Sequence, residues 1–250
     1  MEHITSRQNG IIAHLRRLAS DGAYRRETGE FACDGEKMLR EALAFGAELN
    51  CVLWGGEPKF ALPAQFSQYT CPEALMRYAS PLRNSAGPVF SVKIRALPNK
   101  TAVSSVIVLE NVQDPGNVGT VIRTADALGT DAVLLVGDCA DLHNPKTVRA
   151  TMGGIFRQAV IETGLDGLKN YVNQNKLTLY GAALSGDSAD IRDVRPVRAA
   201  VAVGSEGRGL SSALLALCER RLVIPMRSGC ESLNAAVAAA IIMWEMSRRE

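Results

Sequence analysis

No run of apolar residues in this 250-residue chain approaches the roughly 18 needed to cross a bilayer, and the longest charge-free tract near the C-terminus is only 232–244. A membrane-spanning segment and a membrane partner are therefore not expected. The opening MEHITSRQNG lacks an apolar stretch and a small-residue cleavage site, so the chain reads as cytoplasmic rather than secreted. Neither charge sign dominates: 28 Lys and Arg face 26 Asp and Glu, and with 22% charged and 47% hydrophobic residues the composition is that of a folded domain, not a disordered tail. Cysteine is scarce as well. The six thiols, at 33, 51, 71, 139, 218 and 230, include no pair separated by two residues, which excludes a disulfide scaffold and a C-x-x-C zinc or redox site. Idle thiols are expected. The chain has no internal repeat and no low-complexity tract.

What is present alternates helical and strand patterns in two stretches. In the first, Ile11, Ile12, Leu15 and Leu18 recur at helical spacing, 31–33 is a short strand, and Met38, Leu39, Ala42, Leu43 and Phe45 resume a helix. Residues 51–54 then form a strand closed by Gly55-Gly56. Between 74 and 109 lie five basic residues, Arg77, Arg83, Lys93, Arg95 and Lys100, and no acidic one. That stretch is either a solvated linker or a cationic track for a phosphate backbone. Leu97-Pro98-Asn99-Lys100 punctuates it, placing a domain boundary near residue 100.

Beyond the boundary, apolar strands at 106–109, 132–136, 177–183, 199–203 and 222–224 alternate with helices. Val118, Val121, Ile122, Ala125 and Leu128 mark one helix, and Leu233, Val237, Ile241 and Trp244 form the stripe expected to dock another on the sheet, leaving an alanine face at 235, 236, 238 and 239. Continuous apolar strands separated by helices imply a mainly parallel sheet covered on both faces. In such sheets ligands bind beyond the carboxyl ends of the strands.

Three polar, glycine-punctuated segments follow strands there. The first is Glu110-Asn111-Val112-Gln113-Asp114-Pro115-Gly116-Asn117-Val118-Gly119, where Asn117 stands at a helix cap position and Arg123 projects off the apolar face two turns on. The second is Gly204-Ser205-Glu206-Gly207-Arg208-Gly209, whose GxxGxG spacing is not the dinucleotide fingerprint and whose glycines allow close backbone approach to a ligand. The third, Ile224-Pro225-Met226-Arg227-Ser228-Gly229-Cys230-Glu231-Ser232-Leu233-Asn234, opens the last helix, with Ser228 and Glu231 as a candidate capping box.

Together these segments resemble the three signature motifs of the SpoU (TrmH) family of RNA 2′-O-ribose methyltransferases, of the SPOUT class. Arg149-Ala150-Thr151-Met152-Gly153-Gly154 is similar to a further family segment, although the family more often has Ser at 151 and Ala at 154, and Val-Ser where this chain has Ala235-Ala236. The resemblance spans about 101–246. It implies an α/β fold: a parallel-sheet methyltransferase domain with a trefoil knot over 101–250, preceded over 1–100 by a smaller α/β domain similar to ribosomal L30e-type proteins.

The function so implied is S-adenosylmethionine-dependent methylation of a ribose 2′-hydroxyl in RNA, rRNA before tRNA because of the N-terminal domain. A homodimer is implied too, and no metal. Family comparison places the donor around Leu184, Gly204, Ile224, Met226 and Leu233. Arg123 enters as base or phosphate clamp, and a guanidinium, which stays protonated in ordinary surroundings, favours the clamp. Asn117 would orient the ribose or hold Arg123, Glu206 would orient Arg123 or a backbone amide, and Ser232 and Asn234 would shape the pocket. Arg83, Lys93 and Arg95 are the candidate RNA contacts. Cys230 has no conspicuous base near it in sequence, and His14 and His143 read as surface residues, either of which could touch RNA. The rival readings are a catalytically silent RNA-binding protein of the same fold and methylation of a base nitrogen.

Overall fold

The computed structural model describes residues 1–82, 84–85, 87–95, 102–184, 188–194, 196–227, 229 and 232–248. Arg83, Lys100, the 97–100 punctuation, Ser228, Cys230 and Glu231 lie outside the described residues. Contacts divide the chain into two compact units, Met1–Arg95 with Asp141–Phe156, and Ala96–Ala140 with Arg157–Glu250.

The first unit runs β1 (Glu2–His3), α1 (Gly10–Ser20), α2 (Gly22–Thr28), β2 (Glu30–Asp34), α3 (Glu36–Ala44), β3 (Leu49–Gly55), β4 (Ser67–Cys71), α4 (Glu73–Ala79) and β5 (Val89–Lys93), and takes α6 (Pro145–Ala150) from the returning segment. Its sheet order is β1-β4-β3-β5-β2, parallel from β1 to β3 and antiparallel at β5. The expected stripe of α1 is buried at Ile12, Leu15 and Leu18. The linker alternative fails for residues 89–93, because Val89, Phe90, Ser91 and Val92 are buried in a strand held between β3 and β2. The reason is packing: Phe90 and Val92 join Phe31, Leu39 and Trp54 in one core, with Val148 and Phe156 from the returning segment. No local pattern shows that return, since its partners lie about a hundred residues away in sequence.

The second unit runs β6 (Ser105–Glu110), α5 (Pro115–Leu128), β7 (Ala132–Val136), β8 (Val160–Thr163), α7 (Leu165–Gln174), β9 (Thr178–Ala182), β10 (Ala189–Asp190), α8 (Ile191–Val194), β11 (Ala199–Gly204), α9 (Ser212–Leu215), β12 (Arg220–Val223) and α10 (Ala235–Ser247). Its sheet order is β10-β12-β9-β11-β6-β7-β8, and each of these pairings is parallel. Val106, Val108, Ala200 and Ala202 pack with Leu168 and Val172 of α7 and Leu214 of α9. Alternate residues Ile107, Leu109, Val201 and Val203 face the other side, as the two-residue period of a strand requires, where α5 and α10 pack together. Among the described residues no helix is long and apolar enough to cross a membrane.

The orientation of α10 reverses the expected one. Its alanine face is the docked face, with Ala235, Ala236, Ala239, Ile242 and Met243 buried, while Val237 and Trp244 are 48% and 58% exposed. The helix is apolar on every side, so spacing could not choose a face. Small side chains let α10 lie close to α5.

Candidate active site

The ends of β6 and β11 set the site. Glu110 and Gly204 are paired in register as the last residues of neighbouring strands, and α5 and the glycine-punctuated loop leave from there. Asp114, not Asn117, caps α5: its Oδ1 accepts from Asn117 N at 2.8 Å, and Pro115 follows at the first helical position, where its missing N–H costs nothing. Asn117 is thereby moved into the first turn with its side chain free for other partners.

Those partners come from the other two segments. Asn117 Nδ2 donates to Glu206 Oε1 at 2.6 Å, and Asn234 Nδ2 donates both to Asn117 Oδ1 and to Glu206 Oε1 at 3.0 Å. Ala235 N also donates to Glu206 Oε1, at 3.2 Å. Asn234 Oδ1 meanwhile caps α10, accepting from the amides of Ala236 and Val237. One carboxylate thus ties the starts of two helices to the loop after β11. Of the two roles expected of Glu206, the one toward a backbone amide is formed. A contact with Arg123 is not, because six residues along a helix carry Arg123 about 9 Å from Asn117 and turn it by about 120°. Arg123 is exposed and, among the described residues, has no hydrogen-bond or ion-pair partner. Ser232 is exposed beside the cluster and, among the described residues, makes no side-chain hydrogen bond.

Sequence reasoning gave no role to Glu110 or Ser211, yet they hold the loop. Glu110 is 3% exposed, and its two carboxylate oxygens accept from Ser211 N at 2.7 Å and Ser211 Oγ at 2.6 Å. Ser211 Oγ in turn accepts from Leu214 N, capping α9. The opposite end of the loop is closed by Gly209 N donating to Ser205 O at 2.8 Å. Gly204 serves this closure: the side on which a Cβ would stand faces the Gly209 carbonyl, and Gly209 itself sits at φ +65°.

Beside the polar cluster lies a cavity of about 350 Å³. The five positions assigned to the donor, Leu184, Gly204, Ile224, Met226 and Leu233, all line it, as do Glu206 and Ser232. Arg208, which sequence reasoning passed over, stands on its wall as well. Apolar walls with a few polar groups at one end suit a ligand that carries a flat ring and a charged tail.

The remaining candidates lie in the first unit, and several are already engaged. Lys93 pairs with Glu48, and Arg95 donates to the Phe45 carbonyl at 3.3 Å. His14 is not a surface residue: Nδ1 meets Tyr24 OH at 3.0 Å and Nε2 meets Glu30 at 3.1 Å. Nor is His143, whose ring lies 4.9 Å from that of Phe31. The described thiols are idle, burial pushing those of Cys71 and Cys218 up to about 11.

Burial also brings the His143 pKa down from 6.5 to about 4, with Asp141 opposing and Arg25 adding to the effect. The folded first unit therefore holds a neutral ring while the unfolded chain takes up a proton below 6.5. Stability contributed by that ring is complete above pH 6.5 and is lost as the pH falls toward 4, by about 2 kcal/mol at pH 5. Urea unfolding followed through the buried Trp54, in a Trp244→Phe background, is expected to show this loss between pH 7 and 5. His143→Phe should remove most of it, and an equal loss in that variant would place its origin elsewhere.

The model of the SpoU rRNA Methylase family matches residues 104–244, more than half of the chain. The chain belongs to this family. It is 30% identical to the 23S rRNA (guanosine(2553)-2′-O)-methyltransferase RlmP of Bacillus subtilis, over 98% of this chain and 99% of that protein. A 23S rRNA (uridine(2479)-2′-O)-methyltransferase of Streptomyces viridochromogenes is 29% identical over 98% and 92% of the two chains. The AdoMet-bound rRNA methyltransferase of Sinorhizobium meliloti superposes with a TM-score of 0.88 at 26% identity, covering 98% and 97%. These SpoU relatives match across both units, not only across the family segment.

Proposed function

We propose that the protein is an S-adenosylmethionine-dependent methyltransferase that modifies a ribose 2′-hydroxyl of rRNA in the cytoplasm. The observation that carries this is the convergence of the three segments: Asn117, Glu206 and Asn234 are bonded to one another beside a cavity lined by all five expected donor positions. That cavity fits the donor, whose adenine would lie against Leu184, Ile224, Met226 and Leu233, with backbone at Gly204. When bound there, the donor supplies an electrophilic methyl group.

The protein's own part is alignment and proton control. Arg123, exposed and without a partner among the described residues, offers a planar fork to a substrate phosphate and fixes the acceptor ribose at the cavity mouth. The Asn117–Glu206–Asn234 cluster holds the two helix starts at fixed spacing. A carboxylate does not ease proton loss from a hydroxyl beside it, so that help falls to Arg123, whose positive charge would stabilise the oxyanion that develops as the hydroxyl proton leaves to solvent. Ser232 stands at the cavity mouth as a further contact to the acceptor.

rRNA is preferred to tRNA because the relatives named above act on 23S rRNA and match this chain through its first unit. That unit is the proposed RNA-holding domain, L30e-like in fold; of its sequence-derived contacts Arg83, Lys93 and Arg95, Lys93 is already paired with Glu48. A trefoil knot is proposed for the second unit. It is supported by β9 lying between β12 and β11, so that the chain leaving β11 passes β9 before returning to pack α10 on α5. The deciding experiment incubates the protein with labelled donor and total RNA, then digests to nucleosides. Label on a 2′-O-methylribose from rRNA is expected; label on a base, or only in tRNA, would overturn the corresponding part.

A homodimer is also proposed, through the outer face of α10. Val237 and Trp244 are large apolar residues left exposed on a helix whose inner face is already docked. A two-fold contact would bring the same helix from each chain together. Sedimentation at micromolar concentration is expected to give a dimer for the wild type and a monomer for Trp244→Glu. A monomeric wild type that still methylates RNA would remove the proposal.

A further inference from the structure

The cations of the first unit divide into two groups. Of the described residues on the expected track, Lys93 is paired with Glu48 and Arg77 with Glu73 at 2.6 Å, while Arg95 gives one donor to a backbone carbonyl. A phosphate approaching Lys93 or Arg77 would meet a carboxylate as well as a cation. A different set is held for use. The Arg16 guanidinium lies 4.1 Å from the centroid of the Tyr78 ring and the Arg7 guanidinium 4.7 Å from it. Both arginines are exposed, and among the described residues neither has a carboxylate partner. Arg16 gives one donor to the Tyr78 carbonyl at 3.0 Å, which leaves the rest of its fork open.

We infer that Arg7 and Arg16, held over Tyr78, are the phosphate-gripping surface of the first unit and take the backbone of the substrate RNA. The inference rests on the methyltransferase reading only for the identity of the polyanion. Its physical basis is twofold. From His3 to Ser20 the sequence contains Arg7, Arg16 and Arg17 and no acidic residue, so the face that begins at Arg7 and continues along α1 is cationic. Nearby, Arg17 lies 3.7 Å from the Tyr24 ring centroid and 3.8 Å from Asp21, a weak exposed pair that leaves it partly available. Second, an arginine stacked on an aromatic ring has already lost much of its rotamer freedom, so less entropy is lost when phosphate binds. A planar fork fixed in place matches the two oxygens of a phosphodiester.

The test uses the full-length protein and a fluorescein-labelled RNA stem-loop of arbitrary sequence, since phosphate contacts do not depend on sequence. For Arg7→Gln/Arg16→Gln, the slope of log K against log salt is expected to become shallower by about two, one for each lost contact. Tyr78→Leu keeps both charges and should keep the slope while weakening affinity several-fold. Arg83→Gln/Lys93→Gln/Arg95→Gln should change the slope less than the double variant does. S-adenosylmethionine affinity, measured by calorimetry, should be unchanged in all three, as should urea unfolding of the first unit followed through its buried Trp54 in a Trp244→Phe background. An unchanged slope in the double variant, or a larger change in the triple one, would overturn the inference. A wild type that binds the stem-loop but methylates no RNA would remove the methyltransferase reading and leave this surface standing.

Discussion

Arg123→Ala is expected to lower methyl transfer by a factor of a thousand or more while leaving S-adenosylmethionine affinity nearly unchanged. The separation follows from position. Arg123 is on α5, exposed, and absent from the cavity that fits the donor, whose walls come from the loop after β11 and from the segment before α10. Its loss removes nothing the donor touches. What it removes is the grip on the acceptor, and correct alignment can be worth about 7–11 kcal/mol of barrier, of which a thousandfold uses only about 4. Because Arg123 has no partner among the described residues, its substitution breaks none of the bonds seen there, and unfolding should hardly change.

Arg123→Lys separates fork from charge. Lysine keeps the positive charge but cannot give two parallel N–H donors to one phosphate, so the variant is expected to remain within about tenfold of the alanine variant. Single-turnover rates with saturating donor make the comparison, and near-normal turnover in Arg123→Lys would refute the bidentate role. A base role for Arg123 predicts a different signature, a pH profile displaced when lysine replaces arginine. The clamp predicts a rate reduced at every pH.

How far the sequence foretold this site differs from residue to residue, for physical reasons. Strands of the second unit were legible because both faces of a parallel sheet are buried, so 106–109, 132–136 and 199–203 are unbroken apolar runs. Strand β5 was not, because its basic Lys93 end and the polar residues before it outweigh Val89–Val92 in any local count. Asn234 stands in the sequence at the opening of the last helix, and it caps α10. That the same side chain also reaches Asn117 and Glu206, 117 and 28 residues away in sequence, could come only from the fold or from a family pattern. The burial of Glu110 is a case in point: a carboxylate at the end of a strand reads as solvent-facing until Ser211, 101 residues on, is brought against both of its oxygens.

The glycines of the GxxGxG segment make the sharpest internal comparison, because one loop holds three of them in three different situations. At Gly207 an added methyl meets nothing within 4 Å, and Gly207→Ala should behave as wild type. At Gly209 there is equal room but φ is +65°, so Gly209→Ala costs about 1–2 kcal/mol of backbone strain and should bind the donor a little more weakly. Gly204 is the severe case. A Cβ there would overlap the Gly209 carbonyl and lie 2.5 Å from Leu210 N, and both are backbone atoms that no rotamer change can move aside. Neither side can yield at small cost, since Gly204 is locked in the sheet beside Glu110 and Gly209 is tied to Ser205. The loop must open instead. Opening draws Glu206 away from Asn117 and Asn234 and displaces the cavity wall, so Gly204→Ala is expected to lose donor binding by a hundredfold or more and to melt well below wild type. Calorimetric donor titration and thermal unfolding of the three alanine variants, side by side, give the ranking, and a Gly204→Ala protein that binds donor as Gly207→Ala does would mean that the loop is not closed in this way.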